Sequence, residues 1–312
     1  MTAFAFVFPG QGSQSVGMLD AWGDHPAVRD TLAEASAALG EDLGALIRTG
    51  PKEALELTTN TQPVMLTAAI ACYRAWRAEG GAEPAAVAGH SLGEYSALVA
   101  AGALTLAQAL PLVRFRAQCM QDAVPVGAGA MAAILGLDAA VVARVCAAVA
   151  AASSEPVAPA NFNDPKQTVI AGSAAGVSAA CEQLKAAGAK RALLLPVSAP
   201  FHSALMQPAA ERLRQRLAEV DLAVPHIPVV NNIDVAAQTA PDAIRDALFR
   251  QAFGPVRWVE VVQALQARGL THIIECGPGK VLAGLVRRID TGLVSATLHD
   301  PASLNDVKTL LA

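Results

Sequence analysis

The chain has 312 residues, with 23 Lys plus Arg against 27 Asp plus Glu and a net charge of −4. That balance excludes a general nucleic-acid binder, although a local basic patch remains compatible with it. With 53% hydrophobic and 16% charged residues the chain is globular, and its length suits one large domain or a large domain carrying a smaller insert.

Five scattered cysteines (Cys72, Cys119, Cys146, Cys181 and Cys276) include no CxxC pair. They predict free thiols in a reducing compartment, not a disulfide framework or a zinc site. The opening "MTAFAFVFPGQGSQ" is apolar but short, lacks a basic leader and breaks at Pro9-Gly10, so it does not read as a secretory signal. No run approaches the roughly 18 apolar residues of a membrane span. The expectation is a cytoplasmic protein with no membrane partner.

In chain order, "AFAFVF" (3–8) predicts a buried strand ending in the glycine-rich turn "PGQGSQ", and 25–40 and 61–79 have helical spacing. The short apolar strand 85–89 leads through Ser91 into the helix "LGEYSALVAAGA", too apolar for a surface. A helix at 105–123 starts with capping-box spacing at Thr105 and Gln108, and Pro111 predicts a kink in it. The pattern then changes to a strand at 129–137, a helix at 138–152, a hairpin of 157–163 and 167–173 across Asp164-Pro165, a helix at 174–188 and a strand at 191–198. This β-α-β-β-α-β order is that of a ferredoxin-like unit.

Alternation resumes with a helix at 203–219, the strand "IPVVNN" and helices near 241–251 and 256–268. The strand "THIIECG", a helix at 279–289, the strand "LVSAT" and a terminal helix complete the chain. The predicted fold class is α/β: a hydrolase-like large subdomain with a parallel-strand core (1–124 and 198–312) and an inserted ferredoxin-like small subdomain (125–197).

Gly89-x-Ser91-x-Gly93 matches a strand–turn–helix nucleophile motif. Side chains at 89 and 93 would clash with the adjoining strand and helix, and the Leu92 N–H at the helix start faces a developing oxyanion. A bare GxSxG is also compatible with a serine N-cap in a tight turn; the strand before it and the helix after it favour the nucleophile. His90 is not the base, because adjacent residues leaving a strand point in different directions. It is assigned a packing or hydrogen-bonding role beside the turn, among the residues lining the substrate cleft.

His202, in "VSAPFHSALM", closes a strand and opens a helix, a usual place for a catalytic side chain in α/β folds and equally a place for a solvated helix-entry histidine. A hydrolase triad also needs an acid between Ser91 and His202, and no acidic residue there occupies a strand-end loop except Asp164, which belongs to the inserted hairpin. Arg114 and Arg116 point about 200° apart on a helix. Arg116, among Leu112, Val113, Cys119 and Met120, is on the more apolar face. A guanidinium there needs an anionic partner: an internal carboxylate, or a substrate carboxylate held by two parallel hydrogen bonds.

"FVFPGQGSQ", "GHSLGEYSAL", "RFRAQCMQDAVP", "GAMAAILGL", "NFNDPKQTVIAG", "PFHSALM" and "ECGPGKVLAGL" occur in an order and at spacings that resemble the malonyl-CoA:acyl carrier protein transacylase family across essentially the whole chain. The resemblance implies that Ser91 is acylated, that His202 is the general base and that the Gln11 N–H completes an oxyanion hole with Leu92. It implies that Arg116 grips a malonyl carboxylate and that the Gln251 backbone carbonyl orients His202, which would account for the missing acid. Asn161 and Asn163 match positions lining the cleft. Phe201 resembles the "AFH" pattern of malonyl-selective domains, where a phenyl ring fills the space of an extra methyl, a discrimination of about 1–3 kcal/mol.

The implied partners are malonyl-CoA, as substrate, and holo acyl carrier protein. No metal or bound cofactor is implied, and the expected state is a monomer. Carrier proteins are acidic, so Lys190, Arg191, Lys280 and Arg287 are candidate docking residues, equally readable as a solvated face. "GQGSQS" lacks the third glycine of a dinucleotide fingerprint and "CGPGK" lacks Walker spacing, so both are read as turns. The competing expectations are a serine thioesterase or esterase, a silent acyl-binding module, and an acyltransferase with another acyl group or serving a dedicated polyketide pathway.

Overall fold

The computed structural model describes residues 2–312. The chain runs β1 (Phe4–Phe8), a 3-10 turn (Asp20–Trp22), α1 (Pro26–Leu39), α2 (Leu43–Thr49), α3 (Lys52–Glu56), α4 (Thr58–Ala78), β2 (Ala86–Gly89), α5 (Gly93–Ala100) and α6 (Leu106–Asp122). It continues with β3 (Gly129–Leu135), α7 (Ala139–Ser153), β4 (Val157–Asp164), β5 (Gln167–Ser173), α8 (Ala174–Ala186) and β6 (Arg191–Leu194). After a second 3-10 turn (Ala204–Met206) come α9 (Gln207–Glu219), β7 (Val229–Val230), α10 (Pro241–Phe253), α11 (Trp258–Ala267), β8 (His272–Cys276), α12 (Val281–Ile289), β9 (Val294–Leu298) and α13 (Pro301–Leu311).

Five strands form a parallel sheet in the order β7-β2-β1-β8-β9. Helices cover both faces of such a sheet, so its central strands must be apolar throughout. β1 meets this demand with FAFVF, all five residues buried. Phe4, Phe6 and Phe8 pack on one side with Trp76, while Ala5 and Val7 pack on the other with Trp258, Val262 and Ile273. Phe6 and Trp76 meet edge to face at 5.7 Å, and each fully buried phenylalanine contributes about 1.5–3 kcal/mol.

The chain builds outward from β1 through β2 to β7, then returns to the other side of β1 with β8 and β9. The carboxyl ends of β7, β2 and β1 thus lie side by side next to a change of direction, where open α/β sheets bind ligands.

The second sheet is antiparallel in the order β4-β5-β3-β6, with α7 and α8 on one face. This is the ferredoxin-like arrangement the β-α-β-β-α-β order predicts. Its strands alternate: Ala132, Ile134 and Ile170 face the helices, whereas Met131, Ala133, Val169 and Ala171 face the other way, toward Val197 and Phe201. β4 reaches the parallel-sheet region through an Asn161–Val256 bridge, with Phe162 N–H donating to Val256 O at 2.9 Å.

Several local readings differ from expectation. Both α2 and α3 are too short to carry a helical period; α2 is started by Asp42, whose side chain accepts from Ala45 N–H. β6 ends at Leu194, not 198, because Pro196 has no N–H for a ladder and the chain leaves for the His202 turn. β7 keeps only two residues of "IPVVNN". α6 starts with the predicted capping box at Thr105 and Gln108 and runs as one helix through Pro111. Among the described residues no helix is long and apolar enough to cross a membrane.

Candidate active site

Ser91 sits at the turn between β2 and α5 with φ of 53°, in the left-handed region. The glycines around it are sterically required. A Cβ on Gly89 would fall 1.9 Å from the Gly93 carbonyl carbon, and one on Gly93 would fall 2.0 Å from the Phe8 carbonyl oxygen. Asn232, just beyond β7, braces the turn: its Oδ1 accepts from Ser91 N–H at 2.7 Å and its Nδ2 donates to Gly89 O at 2.7 Å. The Ser91 amide is therefore already engaged, which leaves Leu92 N–H as the next amide along the turn. The β1 turn lies against this one, since a Cβ on Gly10 would be 2.6 Å from His90 O. Gln11 follows in that turn, exposed, with its Nε2 donating to Thr58 Oγ1 at 3.3 Å.

His202 is 5% exposed, also has a left-handed φ of 58°, and brings Nε2 to 2.6 Å from Ser91 Oγ. Its Nδ1 lies 2.9 Å from Gln251 O and 3.2 Å from Gly254 O. Carbonyl oxygens only accept, so Nδ1 carries the proton and Nε2 is left to accept from the serine hydroxyl. Two neutral carbonyls thus stand where a hydrolase triad has an acid. Burial, followed by the nearby Arg116 charge, lowers the His202 pKa to about 3 against the opposing pull of those carbonyls.

Arg116 is 2% exposed and turns into the site, whereas Arg114 leaves it to form a two-pronged pair with Glu41 at 2.7 and 2.8 Å. The split predicted from helix periodicity is the one observed. Arg116 Nη1 donates to Gln62 Oε1 at 2.8 Å; Nη2 donates to Gln251 Oε1 at 3.2 Å and to Ser91 Oγ at 3.3 Å. Its guanidinium carbon is 5.5 Å from the Tyr95 ring centroid. Burial lowers the Arg116 pKa, while Tyr95 and Glu94 pull it upward. Neutral amides hold the guanidinium, and no carboxylate pairs with it directly among the described residues. The site is therefore built to take an anion beside an acylable serine.

His90 Nε2 lies 2.9 Å from Asn163 Oδ1 and its ring centroid is 5.5 Å from that of Trp258, so it links the turn to β4 and does not reach the serine hydroxyl. Burial lowers its pKa. Asn161, on β4, is paired with Val256 in the stretch that follows Gln251 and Gly254. Phe201 is half-buried, packed against both the main core and the face of the antiparallel sheet turned away from α7 and α8. Lys190, Arg191, Lys280 and Arg287 are all exposed. Lys280 adjoins the Gln11 turn, because a Cβ on Gly279 would be 3.1 Å from Ser13. Arg287 donates to Ser295 O at 2.9 Å, and Arg191 pairs with Leu135 at the far end of β6.

Two residues of the site went unread in the sequence, Asn232 and Gln62, and Glu94 is read there only as one of the acids between Ser91 and His202 that lack a strand-end loop. The available signals were an asparagine at the end of the β7 strand and a lone acid in a helix judged too apolar for a surface.

Residues 5–297 match the family described as "Acyl transferase domain". The malonyl CoA-acyl carrier protein transacylase of Escherichia coli K12 is 55% identical over 305 residues, covering 97% of this chain and 98% of that protein. The acyl-carrier-protein S-malonyltransferase structure from Burkholderia pseudomallei is 65% identical with a TM-score of 0.97, covering 99% of this chain and 100% of that one. A malonyl-transacylase solved in complex with a type II PKS acyl-carrier protein is 50% identical with a TM-score of 0.95, covering 97% and 98% of the two chains. With its serine turn, neutrally oriented histidine and buried arginine, this chain belongs to the acyl transferase family, among its malonyl CoA-acyl carrier protein transacylases.

Proposed function

We propose that the protein moves a malonyl group from malonyl-CoA to the phosphopantetheine thiol of acyl carrier protein through a malonyl-Ser91 intermediate, in fatty-acid synthesis. The observation that carries this reading is Ser91 Oγ standing between His202 Nε2 at 2.6 Å and Arg116 Nη2 at 3.3 Å. His202 takes the Ser91 proton as Oγ bonds to the thioester carbon. The N–H groups of Gln11 and Leu92 receive the oxyanion, the C–S bond breaks, and the CoA thiolate leaves with the proton from His202. The carrier thiol then reverses these steps. Arg116 holds the malonyl carboxylate, and Phe201, Asn161, Asn163 and His90 line its cleft.

The exchange of one thioester for another is balanced in atoms and electrons, so it calls for no metal or cofactor; CoA arrives as part of the substrate. A neutral carbonyl behind His202 stabilises imidazolium less than a carboxylate would. That favours a thiol, already acidic, over water as second acceptor. Lys190, Arg191, Lys280 and Arg287 offer positive charge to an acidic carrier protein. The reading includes a cytoplasmic monomer that binds neither nucleic acid nor membrane.

Intact-protein mass after brief exposure to malonyl-CoA tests the reading. A malonyl adduct that is absent in Ser91→Ala and clears quickly only with holo carrier protein supports it. An adduct that clears equally fast in buffer makes the protein a thioesterase.

A further inference from the structure

Behind Ser91 lies a carboxylate that the chemistry above leaves idle. Glu94, in the first turn of α5, is 2% exposed. Its Oε2 accepts from Asn232 N–H at 2.8 Å and from Gln251 Nε2 at 3.0 Å. Gln251 Nε2 also donates to Ser91 O at 3.1 Å. A carboxylate and a backbone carbonyl have no proton to give. The Gln251 NH2 must therefore face those two acceptors, which leaves Oε1 facing Arg116 Nη2 at 3.2 Å.

We propose that Glu94 is a positioning residue: its carboxylate sets the orientation of the Gln251 side-chain amide, and through Gln251 Oε1 it aims the Arg116 guanidinium at the malonyl carboxylate. This rests on the malonyl-transfer reading.

Three considerations support the assignment. A neutral acceptor could brace Asn232 N–H equally well, but on Gln251 the carboxylate adds a charged, proton-free acceptor to the Ser91 carbonyl, and the two together oppose a flip. A flipped Gln251 would point its NH2 at the guanidinium, donor against donor. A carboxylate paired directly with Arg116 would occupy the donors that the substrate needs, whereas one acting through an amide supplies negative charge and leaves the outer edge open. Finally, burying this carboxylate is costly. Burial pushes the Glu94 pKa up to about 7, with Gln251, Asn232 and the Arg116 charge opposing, so the comparison below is made at about pH 8, where the group is ionised.

The test compares two acyl donors on Ser91: malonyl-CoA, and p-nitrophenyl acetate, which has no carboxylate for Arg116. In Glu94→Gln, kcat/KM for malonylation should fall about tenfold, mainly through a higher KM, while acetylation by the neutral ester stays within about twofold of wild type. In a double-mutant cycle, Glu94→Gln should add little to the loss already caused by Arg116→Ala. Equal losses with both donors in a protein that melts like wild type would reduce Glu94 to a brace for the turn and overturn the proposal. Unchanged malonyl preference would overturn it too. Should Glu94→Gln not fold, Glu94→Asp, which retracts the charge by one methylene, carries the same comparison. If wild type takes no malonyl group at all, the parent reading fails instead.

Discussion

In the parallel sheet every residue of β1 and β2 is buried, whereas in the antiparallel sheet three of the four residues of β6 are exposed. The difference shows where each region can tolerate change. The turns carrying Gln11, Ser91 and Asn232 leave strands packed on both faces, so neighbouring backbone dictates their geometry. The antiparallel sheet packs one face on its own helices and the other on Leu195, Val197 and Phe201, and it leaves an open edge ending in Lys190 and Arg191. Ser91 lies at the end of a strand of the first region, while the second keeps an exposed, basic-ended edge.

The largest expected effect falls on the first region. Ser91→Ala should leave no malonyl adduct and lower carrier-protein malonylation by about 10⁴-fold or more, read by intact mass and a coupled assay. Residual turnover close to wild type would move the chemistry away from this turn.

Arg116→Ala should come next. Loss of a two-pronged, charge-assisted grip predicts about a 100-fold fall in malonylation with p-nitrophenyl acetate affected far less. Equal falls for both donors would make Arg116 a structural member of the turn.

The pH profile separates the buried histidine from an ordinary one. Burial and the Arg116 charge lower the His202 pKa from 6.5 to about 3, so its neutral, proton-accepting form persists as pH falls. Acylation by p-nitrophenyl acetate should therefore show no loss of rate between pH 7 and about pH 5. A limb near pH 6.5 would contradict the buried environment. The same shift bears on stability: unfolded chains bind a proton at this histidine below pH 6.5 and the folded protein does not until about pH 3, so its contribution to stability rises with pH across that window.

The smallest effect belongs to the surface. Lys280→Glu with Arg287→Glu should raise KM for the carrier protein by about two- to tenfold, with weaker sensitivity to salt and no change in malonyl-CoA acylation. An unchanged carrier KM removes both from the docking surface.

Local pattern made part of this legible. Strand, glycine-flanked serine and apolar helix announced the Ser91 turn; helical period separated Arg116 from Arg114; Thr105 and Gln108 marked a helix start; and the order of elements gave the ferredoxin-like unit. What stayed hidden is non-local. Asn232 meets Ser91 across 141 positions, Gln251 meets Glu94 across 157 and Arg116 meets Gln62 across 54. Contacts of that reach leave no periodicity, and amide side chains carry no charge to betray them. Gln251 was anticipated only through family resemblance, for its backbone carbonyl; its side chain proved to be joined to Arg116, Ser91 and Glu94 as well.

Ser91 and His202 share a backbone conformation, with φ of 53° and 58°, that disfavours side chains by about 1–2 kcal/mol relative to glycine. Evolution and heat therefore pull in opposite directions at these two positions. A library sorted only for surviving high temperature would drift toward glycine at 91 and 202, enriching sturdy molecules that transfer nothing. Ser154 and Val235 share the conformation, with φ of 59° and 58°; at 91 and 202 the strained residue is kept by selection that counts product.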